Sequence, residues 1–447
     1  MNTPIADFVR RYAASDTARL HMPGHKGRAF LGCEPFDITE IAGADSLYEA
    51  DGIIAQSERN AAALFGSSRT LYSTEGSSQC IRAMLHLCLC QRKPGTKPVV
   101  VAARNVHKAF VFACALLDFE IVWLWPERMS SLCACEVSPE TLDQTLRSLD
   151  APPAAVYITS PDYLGGMADV SALAQVCHDH GTLLAVDNAH GAYLRFLSPS
   201  LHPMDLGADI CCDSAHKTLG VLTGGAYLHI GKNAPAVMAA QARQAMALFG
   251  STSPSYLTLT SLDLCNARLA DEYTDRLADM VARINALKCR LTELGWRVLP
   301  GDPLKLTIDA CAAGTTGTAL AQHLRENGIE CEFADPETLV LMLTPENTED
   351  DLARLESALG KNKAQARSWP ALPMARGERR LSVREAMFAP HETVLIQDAL
   401  GRICGAPTVA CPPAIPIAVS GEVITNEALA LFEHYGVDEV DVVKASH

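Results

Sequence analysis

Two short stretches of this sequence carry side chains that could share one reaction: Asp213-Ser214-Ala215-His216-Lys217-Thr218 and Asp187-Asn188-Ala189-His190. Apolar runs lead into both, residues 208–212 into the first and 182–186 into the second. Short apolar runs closed by polar residues read as buried parallel strands. Open α/β sheets take their ligands just beyond the carboxyl ends of such strands. A lysine amine at that place can form a Schiff base, with the Ser214 hydroxyl and the His216 imidazole before it able to hold a phosphate. Asp187, from a nearby strand, can keep a ring nitrogen protonated. These are the needs of a pyridoxal 5'-phosphate (PLP) site built on Lys217. On Ser-x-His-Lys alone, a solvated loop lysine beside an ordinary polar histidine explains the pattern equally well.

A further anion cradle precedes these stretches. Residues 69–78 read as strand, turn and helix start, with Gly76-Ser77-Ser78 ahead of a helix over 79–90. Free backbone N–H groups and two hydroxyls at a helix N-terminus suit a phosphate, each contact with the helix dipole contributing roughly 0.3–1 kcal/mol. The simpler reading makes Ser77 or Ser78 the helix N-cap. Glu75 stands beside the proposed phosphate and must turn away for the cradle to work.

Other motifs follow in a fixed order: His21-Met22-Pro23-Gly24-His25-Lys26-Gly27, Asn105-Val106-His107-Lys108, Asp187-x-Ala-His190-Gly191, Ser214-Ala-His-Lys217-Thr218 and Ser253-Pro254-Ser255-Tyr256. Together they resemble the short form of the ornithine/lysine/arginine decarboxylase family of fold type I PLP enzymes, from about residue 5 to the last helix. The resemblance implies an aspartate aminotransferase-like major domain with a mostly parallel sheet, a small α/β domain and a C-terminal domain. It implies removal of CO2 from a basic amino acid, with arginine favoured and lysine or ornithine possible. It puts His107 against the face of the cofactor ring, His190 near that ring, and Ser253 in a loop that reaches the neighbouring subunit's cofactor. The active unit is then a homodimer or a larger homo-oligomer. In the tail, Arg384-Glu385-Ala386, Pro412-Pro413-Ala414-Ile415-Pro416 and Ser420-Gly421-Glu422-Val423-Ile424 match the family's last segment, except that relatives commonly have glycine where Ala414 stands. Glu385 is a candidate partner for the substrate's distal cation, since a buried cation requires an acid; a surface ion pair is the other reading. Another fold type I reaction, such as amino-group transfer, uses the same lysine and aspartate. A silent PLP-binding regulatory protein is a further alternative.

Composition narrows the field. At 447 residues the chain can bury a large core. A formal charge of −15 argues against nucleic acid, which demands a basic surface, and mildly favours a cationic amino acid as partner. The first twenty residues lack the apolar core of a secretion signal. The longest apolar run, 109–117, is far too short to cross a bilayer, so the expectation is a cytoplasmic chain with no membrane partner. Sixteen cysteines lie mostly inside apolar runs and read as reduced small hydrophobes. Neither Cys88-x-Cys90, Cys133-x-Cys135 nor Cys211-Cys212 has the paired spacing of a zinc site, so no metal is expected. The helical spacing of Leu173, Val176, Cys177 and His180 turns His178 and Asp179 toward solvent.

The elements that must position these groups follow in order. An arm over residues 1–70 starts with an amphipathic helix around 4–12. The cofactor-binding major domain spans 71–256 and repeats strand, loop and helix from 98 to 230, with strands at 99–103 and 154–159; the second feeds Ser160-Pro161-Asp162. A single long helix over 257–294 links to a small α/β domain, the two together making 257–360. That domain has strands at 304–308, 329–333 and 338–343, and Gly295 and Gly328 stop its helices. The charged stretch 361–380 opens the C-terminal domain, 361–447.

Overall fold

The computed structural model describes residues 1–91, 95, 97–362, 365–407 and 414–445; Pro412 and Pro413 lie outside them. The chain forms two compact units: Met1–Pro94, Leu149–Ser160 and Asp169–Leu277 in one, Gly95–Ser148, Pro161–Ala168 and Ala278–His447 in the other.

The first unit carries five strands, ordered Arg69–Ser73, Ala226–Ile230, Ile210–Asp213, Leu183–Asp187, Ala155–Thr159. The last three run parallel, with Thr159 opposite Asp187 and Asp187 opposite Cys212, while Ala226–Ile230 is antiparallel to both neighbours. Because the parallel strands are in register, their polar last residues fall together at one edge. Nearly every residue of these strands is buried, which explains the continuous apolar runs in the sequence. Asp209 closes the opposite edge by accepting the Leu184 N–H (2.8 Å) and meeting His178 Nε2 at 3.1 Å. His178 and Asp179 are exposed, as their helical spacing requires. The helix Gly76–Leu89 packs on the strands Ile210–Asp213 and Ala226–Ile230 through Cys80, Ala83, Met84, Leu87 and Cys88. Asp45 accepts the N–H groups of Gly52 and Ile54 (both 2.9 Å) at the start of the helix Ile53–Phe65.

The expected long helix is two: Tyr256–Asp271 and Tyr273–Glu293. The break falls at Glu272 (φ −107°, ψ −4°), where neither glycine nor proline announces it. The second helix ends at Gly295 in a left-handed conformation (φ 94°), as its position predicts.

In the second unit Val99–Ala103 and Glu120–Leu124 pair in parallel around the helix Lys108–Leu117. A four-stranded antiparallel sheet has the order Phe333–Ala334, Thr338–Met342, Lys305–Asp309, Val298–Leu299. The expected strand at 329–333 is reduced to Phe333–Ala334. A two-stranded sheet, His391–Leu395 with Glu439–Val443, belongs to a core of its own with Cys404, Ile417, Ile424, Leu431 and Phe432. The tail is fixed from within this unit: Arg104 donates to the carbonyls of Pro416 (3.0 Å) and Ile417 (2.9 Å) and lies 3.6 Å from Glu422. Ala414 sits at φ 60°, a left-handed backbone that favours glycine, and its carbonyl accepts the Lys108 N–H at 2.9 Å. Among the described residues no helix is long and apolar enough to cross a membrane.

Candidate active site

Lys217 stands in the one-turn helix Ala215–Thr218, which leaves the strand Ile210–Asp213 through Ser214. It is half-buried, and its Nζ lies 3.0 Å from Nε2 of His190, itself 4 % exposed. His190 follows the neighbouring strand end by three residues, so the parallel register sets this contact.

Asp187, the last residue of that neighbouring strand, is 2 % exposed. Its Oδ2 accepts the Tyr157 hydroxyl at 3.0 Å; its Oδ1 accepts the Ala189 N–H at 3.2 Å and the Cys212 thiol at 3.7 Å. Burial pushes its pKa above the ordinary carboxylate value, and the charge of Lys217 pulls it back in part. Three weak neutral donors do not replace the water that a buried carboxylate has lost. A cation placed against Asp187 would therefore stabilise its charged form.

The helix Gly76–Leu89 begins close by. Gly76 adopts φ 72°, and a Cβ added there would meet nothing within 4 Å. The Gly76 N–H is taken by the carbonyl of Gly224 (2.7 Å), and the Ser214 hydroxyl donates to that of Ser77 at 2.8 Å. This contact brings the lysine turn and the helix N-terminus together, with Ser77 and Ser78 both half-buried. Glu75 is exposed and its carboxylate accepts the Ser251 N–H, so it does turn away. His216 Nδ1 lies 3.1 Å from the carbonyl of Gly225, which fixes its ring. Thr218 Oγ1 is buried and has no hydrogen-bond partner among the described residues.

The structure thus gathers Lys217, Asp187, His190, Ser214, His216, Gly76, Ser77 and Ser78 in the first unit. Ser253 is in the same unit, exposed, its N–H donating to the Ser251 hydroxyl at 3.2 Å. His107 belongs to the second unit, where it caps the helix Lys108–Leu117 by accepting the Ala109 N–H at Nδ1 (3.1 Å). Glu385 is also in that unit, where its carboxylate completes a capping box with Ser382 on the short helix Val383–Phe388. Sequence reasoning missed Tyr157 and Cys212, the donors to Asp187. Both sit inside apolar strands, and only the parallel register reveals that they face the carboxylate.

The profile described as "Orn/Lys/Arg decarboxylase, major domain" matches residues 3–311. The chain belongs to the Orn/Lys/Arg decarboxylase family. It is accordingly a decarboxylase, as its motifs implied. An arginine decarboxylase of Bacillus subtilis is 29 % identical to it over 465 residues, covering 96 % of this chain and 92 % of the relative. An arginine decarboxylase of Halalkalibacterium halodurans is 30 % identical over the same shares of the two chains. In fold, a lysine decarboxylase of Francisella novicida superposes with a TM-score of 0.81 at 17 % identity, over 99 % of this chain and 81 % of that one. This decarboxylase therefore has the fold type I architecture expected from its sequence.

Proposed function

We propose that this family member removes the α-carboxylate of a basic amino acid as CO2 and leaves the amine, using PLP held covalently at Lys217. Arginine is the favoured substrate, because the arginine decarboxylases of Bacillus subtilis and Halalkalibacterium halodurans match nearly the whole chain, with lysine and ornithine next. The observation that carries the reading is the placement of Lys217 and Asp187 at the same edge of neighbouring parallel strands, the acid buried and served by weak donors.

The residues fit the cofactor. Among the described residues the donors to Asp187 are a phenol, an amide and a thiol, Gly76 leaves open space on its Cβ side, and the Thr218 hydroxyl is buried without a partner. Bound there, PLP supplies an electron sink for the pair released when the carboxylate leaves. Asp187 holds a proton on the ring nitrogen and is stabilised by it. The first-turn N–H groups of Ser77 and Ser78, their hydroxyls, and Ser214 and His216 hold the phosphate. His190 orients the Lys217 amine. Ser253 lies in the loop offered to a second copy in a cytoplasmic homodimer. The arm 1–70, the cofactor segment 71–256, the segment 257–360 and the tail 361–447 are the functional division that goes with this reading.

The test is a single preparation with added PLP, read first for a visible absorption band and then for CO2, amine and keto acid from arginine, lysine and ornithine. The expected result is a band and amine with equimolar CO2, both lost in Lys217→Ala. Keto acid in place of CO2 would move the chain to amino-group transfer, and a band with no turnover would make it a silent binding protein. A chain that takes up no PLP overturns the proposal.

A further inference from the structure

Asp213 is the last residue of the strand Ile210–Asp213 and immediately precedes the Ser214–Lys217 turn; it is 0 % exposed. Three side chains converge on its carboxylate. His202 Nε2 and His229 Nε2 lie 3.0 and 3.1 Å from Oδ2, and Asn188 Nδ2 donates to Oδ1 at 2.6 Å. The far side of each ring is also occupied. The Met204 N–H donates to His202 Nδ1 at 3.3 Å, and Thr70 Oγ1 lies 2.8 Å from His229 Nδ1. Since a backbone N–H can only donate, His202 accepts at Nδ1 and carries its proton on Nε2, aimed at Asp213. The same assignment at His229 makes Thr70 the donor there.

A buried carboxylate costs several kcal/mol unless it is fully hydrogen-bonded, whereas an apolar residue would fill the volume at no such cost. What the charge gains is location. Asn188 is the residue after Asp187, so one carboxylate ties the end of the Asp187 strand to the end of the strand that leads to Lys217. His229 adds the antiparallel neighbour Ala226–Ile230, and His202 adds the loop between. We infer that Asp213, with His202, His229 and Asn188, is a positioning cluster that fixes the spacing between the Lys217 amine and the Asp187 carboxylate. This inference rests on the PLP reading of the same site.

A metal centre is the competing explanation, because ligand atoms of His202, Cys211 and Asp213 lie within 4.8 Å of one another. The separations of 3.0 and 3.1 Å are ordinary hydrogen-bond lengths, and burial holds the Cys211 thiol protonated, well above its usual value. Both features favour a proton-bridged cluster.

The experiment compares the full-length wild type with Asp213→Asn, Asn188→Ala and Thr70→Val. His178→Gln is the control, because its contact with Asp209 lies at the opposite edge of the same strands. The readings are PLP retention on dialysis, the visible circular dichroism of bound PLP, which reports ring orientation, kcat and KM separately, and metal content. Asp213→Asn and Asn188→Ala are expected to weaken PLP retention by about tenfold, the scale of one hydrogen bond to a charged group. They should also alter the visible circular dichroism and lower kcat more than they raise KM, with the control like the wild type. If Asp213→Asn does not fold, Asn188→Ala and Thr70→Val carry the comparison. Variants that melt lower but keep wild-type retention and circular dichroism overturn the inference, and so does one zinc per chain. A wild type that takes up no PLP overturns both readings; wild-type uptake with unaltered variants overturns this one alone.

Discussion

Asp187 and Asp213 end neighbouring strands, both essentially inaccessible to water, yet their surroundings drive them in opposite directions. Asp187 has a phenol, an amide and a thiol, and burial raises its proton affinity. Asp213 has two imidazoles and a carboxamide; burial pushes its proton affinity up, but the two imidazoles outweigh it and hold the acid well below the ordinary carboxylate range. Equal burial therefore does not mean equal charge; with three donors each, the kind and strength of the donors decide. The weakly supplied acid is the one suited to receive a cationic ligand, and the strongly supplied one is suited to hold backbone in place.

The contrast can be broken or sharpened by substitution. Lys217→Ala removes a charge that offsets the burial of Asp187 together with the attachment point, and turnover should fall by about 10³-fold or more in a steady-state assay. Asp187→Asn should lower turnover by about 10²–10³-fold while raising the melting temperature of the cofactor-free protein at neutral pH. The sign follows from its raised folded-state value: the native protein prefers the protonated acid, so the penalty fades as pH falls through that value. The gap between variant and wild type should close on acidification. Asp213→Asn should do the reverse, destabilising by about 2–3 kcal/mol at neutral pH in urea unfolding. Because its folded-state value is depressed, the wild-type advantage is complete above the ordinary value of 3.8 and disappears as pH falls below it. Thr70→Val keeps the shape and removes two neutral hydrogen bonds, to His229 Nδ1 (2.8 Å) and to the Ser67 hydroxyl (2.7 Å), so a loss of about 1–2 kcal/mol is expected in the same measurement. If Asp187→Asn and Asp213→Asn shift stability in the same direction at neutral pH, the contrast fails.

Lys217 and Asp187 were legible in the sequence because each follows an apolar run, and such a run marks a buried strand whose end faces ligand. The cluster on Asp213 was not. His202 and His229 are 11 and 16 residues away from it, and His229 sits inside Ala226-Tyr227-Leu228-His229-Ile230, which reads as uniform core. Only antiparallel pairing brings the two together. The helix break at Glu272 was hidden because neither a glycine nor a proline marks it. The surface position of Glu385 was readable after all: Ser382-x-x-Glu385 is the capping-box spacing, and both of its hydrogen bonds are formed. The glycine expected at residue 414 also had a physical cause, since its backbone is left-handed.

The cysteines described as small hydrophobes give the chain a built-in unfolding probe. Burial pushes the thiols of Cys80 and Cys88 far above their ordinary value, out of reach of neutral-pH alkylation, while Cys90 and Cys289 are exposed. A thiol-directed label should therefore mark the exposed pair promptly and reach the sulfurs under the strands only when the helix Gly76–Leu89 lifts away. The slow phase of labelling then times the opening of the lysine-bearing half of the molecule with no engineered reporter.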